Sequence, residues 1–222
     1  MGYKVTSLKD IYRNIGEDET KCILKDFECA LNKDVEYFIK EKAIEFAKQD
    51  IAETFIVTSS YKKKEVIVGY FSFATKVVKM KRNTLTGKKK KRFCKFAEYD
   101  EENHCFFISL PLIGQLGKNY KNEYNKLITG DVLLKLACDK MKEAQEILGG
   151  RFIFLECEDK TVLREFYERN GFVCFGKRNL EKDERDKNAG EYLLQMLCDL
   201  SNYWIHINKR ISNSSFFKDS RR

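Results

Sequence analysis

An apolar strand, Phe154-Leu155-Glu156-Cys157, precedes a short helix closing Phe166-Tyr167-Glu168-Arg169-Asn170-Gly171-Phe172, and no other segment constrains this chain as much. Glycine takes up the left-handed conformation of a helix C-cap. The helix is therefore expected to stop near Asn170, and Phe172 to open a second apolar strand through Phe175. Tyr167 then stands one turn before the stop, at a fixed place, with its hydroxyl free to donate a proton. The competing reading is an aromatic pair packed in the core behind a glycine that only caps the helix.

At 222 residues the chain suits one large domain, or one domain with an appendage, against roughly 100–200 residues per domain. Apolar residues make up 43% of it, enough for a full core, and its single proline argues against a proline-rich linker. No run reaches the ~18 continuous apolar residues of a membrane span. Met1-Gly2-Tyr3-Lys4-Val5 lacks the apolar centre of a signal peptide, so the expected location is the cytoplasm.

Eight cysteines are present, but none forms a Cys-x-x-Cys pair and most sit within apolar runs, which reads as small, reduced core residues. A zinc site built from Cys94, His104 and Cys105 would have a spacing that matches no common ligand pattern, so no metal is expected. The formal charge of +8 is uneven. From Lys76 to Lys95 there is no acid, and the stretch culminates in Lys88, Lys89, Lys90, Lys91 and Arg92. Such a block favours a polyanion such as RNA through phosphate contacts and counterion release; the alternative is a solvated hairpin tip.

Three pieces follow along the chain. In the first, Asn32 can cap a helix over Asp34–Asp50, where Val35, Phe38, Ile39, Ala43, Phe46 and Ala47 recur at helical spacing. Thr54–Thr58 and Val66–Phe73 read as a hairpin turned at Ser59–Lys64. The second piece is a strand over Phe106–Gly117, a loop over Lys118–Thr129, and a helix from Gly130 or Asp131 to about Glu146 with Val132, Leu133, Leu136, Ala137, Met141 and Ala144 as its apolar stripe. The third has a charged loop, Glu181–Lys187, a last strand at Tyr192–Leu197, and a short amphipathic segment, Tyr203–Ile207. There Trp204 and His206 suit a cover for the sheet or a contact with an oligomer partner.

Phe166-Tyr167…Gly171-Phe172 after a strand-helix-strand unit resembles the C-terminal half of the GNAT-type N-acetyltransferases. The order Asp26–Cys29, helix, Ala52–Val57, Ile67–Ser72 is similar to the N-terminal half of the branch that includes toxins acetylating aminoacyl-tRNA, so the resemblance spans most of residues 26–176. It implies an α+β fold: a mixed, mostly antiparallel sheet splayed at a central strand near Gln115–Asn119, with helices on both faces. It further implies one acetyltransferase domain over residues 1–200, with a helix-and-hairpin half (26–97) and an acetyl-CoA half (98–200), followed by an extension over 201–222. Acetyl-CoA is the implied cofactor. Its pantetheine arm would run along Gln115, Leu116, Gly117 and Lys118, and its diphosphate would sit at the helix start, over Thr129, Gly130, Asp131, Val132 and Leu133; Lys126 and Phe166 are further implied cofactor-binding residues. The physics of that place is the helix N-terminus, whose unpaired amides and dipole favour a phosphate.

One departure stands out. The family's Gln/Arg-x-x-Gly-x-Gly/Ala motif falls on Asn125-Lys126-Leu127-Ile128-Thr129-Gly130, and only the last glycine survives. Lys126 adds a favourable charge there and Asp131 an unfavourable one.

In the implied chemistry a neutral amine attacks the thioester, the oxyanion takes a backbone N–H near Leu116, and Tyr167 protonates the departing thiolate. Glu98, Glu156 and Glu158 are the carboxylates placed to be considered as a general base, although an amine with a low pKa needs none. Three functions stay open: an acetyltransferase acting on a large anionic acceptor such as aminoacyl-tRNA, one acting on a protein or small amine, and a non-catalytic interaction module. A homodimer and a small antitoxin are the partners the branch implies.

Overall fold

The computed structural model describes residues 2–81, 87, 91, 93–180, 190–201 and 203. The strands are β1 (Tyr3–Ser7), β2 (Glu53–Tyr61), β3 (Lys64–Lys81), β4 (Glu98–Asp100), β5 (Cys105–Lys118), β6 (Phe152–Glu158), β7 (Val173–Asn179) and β8 (Tyr192–Asp199). The α-helices are α1 (Leu8–Ile15), α2 (Glu17–Leu24), α3 (Lys33–Tyr37), α4 (Ala43–Lys48), α5 (Gly130–Leu148) and α6 (Thr161–Arg169). Together they make the expected mixed fold, an open and mostly antiparallel eight-stranded sheet with helices. The chain divides into two compact units. One is drawn from residues up to Lys76 and from Pro111–Lys140; the other is drawn from Val77–Leu110 and from Met141 onward.

In the first unit the strand order is β1-β2-β3-β5. The expected helix is there, capped by Asn32, whose Oδ1 accepts from the amides of Asp34 at 3.0 Å and Val35 at 3.3 Å. It is not one regular helix, because a π turn at Phe38–Lys42 separates α3 from α4. One turn ahead of that widening, the buried Tyr70 hydroxyl donates to the Val35 carbonyl at 2.6 Å, which satisfies a backbone acceptor beside the irregular turn. Tyr70 also meets Phe27 edge-on at 5.1 Å and lies within a core of Leu8, Leu24, Ile39, Ala43 and Ile56.

The β2–β3 hairpin is longer and tighter than its sequence suggests. Lys62 and Lys63 both have positive φ, 49° and 64°, so a two-residue turn joins Tyr61 to its partner Lys64. Opposite the step from Val57 to Thr58 the register slips: Val57 faces Gly69 and Thr58 faces Ile67, which leaves Val68 as the extra residue of a bulge. Strand β1 and helices α1 and α2 are additions to the sequence reading. Their signals are present: Ser7 Oγ caps α1 by accepting from the Asp10 amide, and Gly16, at φ 88°, separates the two helices.

In the second unit the order is β5-β6-β8-β7, with β4 paired to β5. Strand β5 passes from one unit to the other at Pro111, where the ring removes a backbone donor. The last strand, β8, does lie beside the one that follows Phe172, in antiparallel register with both β6 and β7. Phe154 and Phe175 pack at 5.9 Å and Phe93 and Phe152 at 5.7 Å. All eight cysteines are free; Cys29, Cys105, Cys138, Cys157 and Cys198 are buried and Cys22 is exposed. Of the basic run, Lys91 alone falls among the described residues, and it is exposed. Lys88, Lys89, Lys90 and Arg92 lie outside them, as do residues 181–189, Trp204 and His206. Among the described residues no helix is long and apolar enough to cross a membrane.

Candidate active site

In the second unit, α6 ends as its sequence predicts, and the ending fixes Tyr167. Gly171 takes φ 88°; its amide donates to the Glu168 carbonyl at 3.0 Å, and the Phe172 amide donates to the Tyr167 carbonyl at 3.0 Å. These are the two bonds of a Schellman motif, and its usual apolar contact is made by the Tyr167 and Phe172 rings at 5.7 Å. Phe166 meets the Tyr167 ring edge-on at 4.9 Å, and the Asn170 amide side chain donates to the Phe166 carbonyl at 2.8 Å. Tyr167 is half-buried, and among the described residues its hydroxyl has no hydrogen-bond partner. Burial, with the nearby Cys157 thiol, pushes the phenol above its ordinary value of 10. Burial, with Cys174, pushes the Cys157 thiol itself up to about 12. Both groups therefore keep their protons at neutral pH.

The carboxylates considered as bases are differently placed. Glu156 is held by Arg178, whose Nε lies 2.9 Å from both carboxylate oxygens, and Gln195 is beside it at 3.5 Å. Glu158 pairs with Lys160 at 2.6 Å, and Glu98 is exposed on β4. Glu156 and Glu158 are thus each engaged in an ion pair.

Replacing Gly171 tests how firmly the motif holds. A Cβ there would meet nothing closer than Cys198 Sγ at 3.9 Å, so Gly171→Ala is penalised by backbone conformation alone, at about 1–2 kcal/mol. The expected result is a thermal midpoint lower by about 2–8 °C, with Gly171→Asn recovering part of the loss because asparagine tolerates positive φ. Differential scanning calorimetry checks it; a midpoint unchanged in the alanine variant would mean that the helix end does not depend on this conformation.

In the first unit lie the end of β5, the loop behind it and the start of α5. Gly117 has no room for a side chain, since a Cβ would collide with Val35 Cγ1. Gln115 donates to Asp34 at 3.2 Å, and Leu116 is half-buried beside it. Asn119, fully buried, donates from Nδ2 to the carbonyls of Asp26 at 2.9 Å and Ile67 at 2.8 Å, and accepts at Oδ1 from the amides of Glu28 and Lys121, each at 3.0 Å. This residue sits at the end of the segment that resembles the family, yet its partners lie too far away in sequence for its role to be read from the chain.

Lys118 Nζ donates to the carbonyls of Asn125 at 3.0 Å and Ile128 at 3.3 Å, and burial holds its ammonium below the ordinary lysine value. Tyr3 donates to the Leu127 carbonyl at 2.8 Å. At the helix start, Thr129 Oγ1 accepts from the Val132 amide at 3.2 Å and the Thr129 carbonyl from the Leu133 amide at 3.0 Å. Among the described residues the amides of Ile128, Thr129 and Gly130 have no hydrogen-bond partner. Gly130, Asp131 and Val132 are half-buried, and Lys126 is exposed and ion-paired with Glu123. No residue from 125 to 130 has positive φ; the left-handed residues of this loop are Asn122 and Glu123. The loop therefore takes its shape without the family's other glycines.

Neither a protein-family model nor a curated protein sequence matches the chain. Solved structures do. A tyrosine-to-phenylalanine mutant of KacT aligns at a TM-score of 0.61 and 13% identity, covering 92% of this chain and 99% of that one. AtaT complexed with acetyl-methionyl-tRNAfMet aligns at 0.60 and 15%, covering 93% and 99%. AtaTR bound with acetyl-CoA aligns at 0.53 and 14%, covering 92% and 98%. The chain has the GNAT fold and, within that fold, resembles KacT and the AtaT toxin over nearly its whole length.

Proposed function

We propose that this protein is an acetyl-CoA-dependent N-acetyltransferase with Tyr167 as its proton donor and the amine of an aminoacyl-tRNA as its acceptor. The observation that carries the reading is Tyr167 itself, locked by both bonds of a Schellman motif, with a protonated hydroxyl that no described residue engages. The loop before α5 fits the cofactor: the amides of Ile128, Thr129 and Gly130 and the positive end of a 19-residue helix are donors suited to a diphosphate. Thr129, Gly130, Asp131 and Val132 would flank that group, with Gln115, Leu116, Gly117 and Lys118 along the pantetheine arm and Phe166 beside Tyr167. When bound, acetyl-CoA supplies the thioester that is cleaved and the thiol that departs. A phenol kept protonated is a proton source for that thiol at neutral pH.

The acceptor reading rests on charge and on a neighbour: AtaT is solved with acetyl-methionyl-tRNAfMet, and this chain carries Lys88–Arg92. AtaT is also solved with the C-terminus of its antitoxin AtaR, which supports a small antitoxin as partner here. The test is to incubate the protein with radiolabelled acetyl-CoA and charged tRNA. Label is expected at the aminoacyl end. Replacing Lys88, Lys89, Lys90 and Lys91 with alanine should weaken tRNA binding and flatten its salt dependence by up to ~0.9 log units for each phosphate that is no longer neutralised. Label found only on protein or small amines, or an unchanged salt slope, would refute the tRNA reading.

A further inference from the structure

Where the family's motif relies on glycines, this chain holds the same loop by side chains. Three carbonyls of the loop, those of Asn125, Leu127 and Ile128, are taken by Lys118 Nζ, Tyr3 Oη and Lys118 Nζ respectively. A trans peptide is planar, and its C=O and N–H point in opposite directions. Fixing the Leu127 carbonyl on Tyr3 therefore turns the Ile128 amide away from Tyr3, and fixing the Ile128 carbonyl on Lys118 turns the Thr129 amide away from Lys118. These two amides, with that of Gly130, are the successive ones that lack a partner among the described residues. An ammonium spanning carbonyls three residues apart also sets the width of the loop.

We infer that Lys118 and Tyr3 are positioning residues for the diphosphate of the cofactor. They brace the loop by its carbonyls so that the amides of Ile128, Thr129 and Gly130 converge on one anion. Lys118 in this role acts through the backbone, with two of its three ammonium protons given to the protein's own carbonyls. The inference rests on the acetyl-CoA reading above and adds to it the means by which a loop short of glycines forms the anion site.

Lys118→Met and Tyr3→Phe test it, the second removing a single oxygen. Calorimetric titration with acetyl-CoA is expected to show affinity weakened about 10-fold in Lys118→Met and about 3-fold in Tyr3→Phe, as for the loss of fixed donors. In turnover, kcat/KM for acetyl-CoA should fall about 10-fold relative to that for S-acetylpantetheine, the same thioester without the diphosphate. Equal losses for both thioesters, or wild-type affinity for acetyl-CoA in both variants, would overturn the brace. A wild-type protein that binds no acetyl-CoA at millimolar concentration would instead overturn the cofactor reading on which it stands. If Lys118→Met does not fold, Tyr3→Phe decides by the same comparison of the two thioesters, with a relative fall of about 3-fold expected.

Discussion

Asn119→Leu is expected to lower the thermal midpoint by about 10 °C or more, the largest stability loss foreseen for a polar residue in this chain. The side chain makes four hydrogen bonds from a fully buried position, two donated and two accepted. Leucine has a similar volume but leaves the carbonyls of Asp26 and Ile67 and the amides of Glu28 and Lys121 without those partners. An abandoned buried group costs about 1–3 kcal/mol. Even with water reaching some of them, the sum is about 3–5 kcal/mol, a large share of a typical stability of about 5–15 kcal/mol. At about 2–4 °C per kcal/mol for a chain of this size, the shift follows. Asn119→Asp separates the polar network from simple packing. A carboxylate there would face two carbonyl oxygens, so folding disfavours its charged form and raises its pKa. Its deficit relative to wild type should therefore shrink as pH falls from that raised value toward the ordinary aspartate value of about 4, and be constant above the raised value. Calorimetric melts at pH 5 and pH 8 decide; a leucine variant within 2 °C of wild type, measured in the same way, would show that the network contributes little.

The same residue shows what the sequence could and could not tell. Periodicity and breakers located β6, α6, β7, α5 and the last strand, because each is specified locally by an apolar run and a stop such as Gly171. The α3–α4 region was legible as a helix through the Asn32 cap and its stripe, but the π turn was not, since it goes with Tyr70, 35 residues away. The N-terminal strand and two helices carried local signals at Ser7 and Gly16 that reading from the first long apolar stripe passes over. The site divides along the same line. Tyr167 is legible because helix, cap and aromatic contact lie within six residues. The Lys118 and Tyr3 contacts with the loop are only partly local: one spans seven residues and another 124. Asn119 is further removed still. It takes the carbonyl of Ile67 with its side chain and that of Val68 with its amide, at 2.9 Å, where the β3 bulge leaves the ladder irregular. A bulge cannot be seen before the register is known. The missing glycines suggest a damaged anion site, but a motif records one way of shaping a loop and does not record the amides of Ile128, Thr129 and Gly130, which have no hydrogen-bond partner among the described residues.

Tyr167→Phe is expected to lower acetyl transfer about 10- to 1000-fold while leaving affinity for acetyl-CoA nearly unchanged. The ring contacts with Phe166 and Phe172 are preserved in phenylalanine, and so are the backbone bonds that end α6, so the variant should fold and melt like the wild type. What is removed is the hydroxyl proposed as proton donor to the forming thiolate. Such a loss falls on kcat and kcat/KM together and spares ground-state binding. The pH profile supplies a second reading of the same group. An acid must be protonated to act, and burial raises this phenol above 10, so the wild-type rate should show no falling limb through Tyr167 below pH 10. The rising limb should instead follow deprotonation of the acceptor amine, and should keep its position in Tyr167→Phe because the mutation does not touch that amine. Steady-state rates from pH 6 to pH 10 on both proteins are the measurement. Equal turnover in the two would remove Tyr167 as the donor and return the helix end to a purely structural part. A wild-type alkaline limb near pH 8 that disappears in the variant would mean that the hydroxyl is not held protonated as its burial requires.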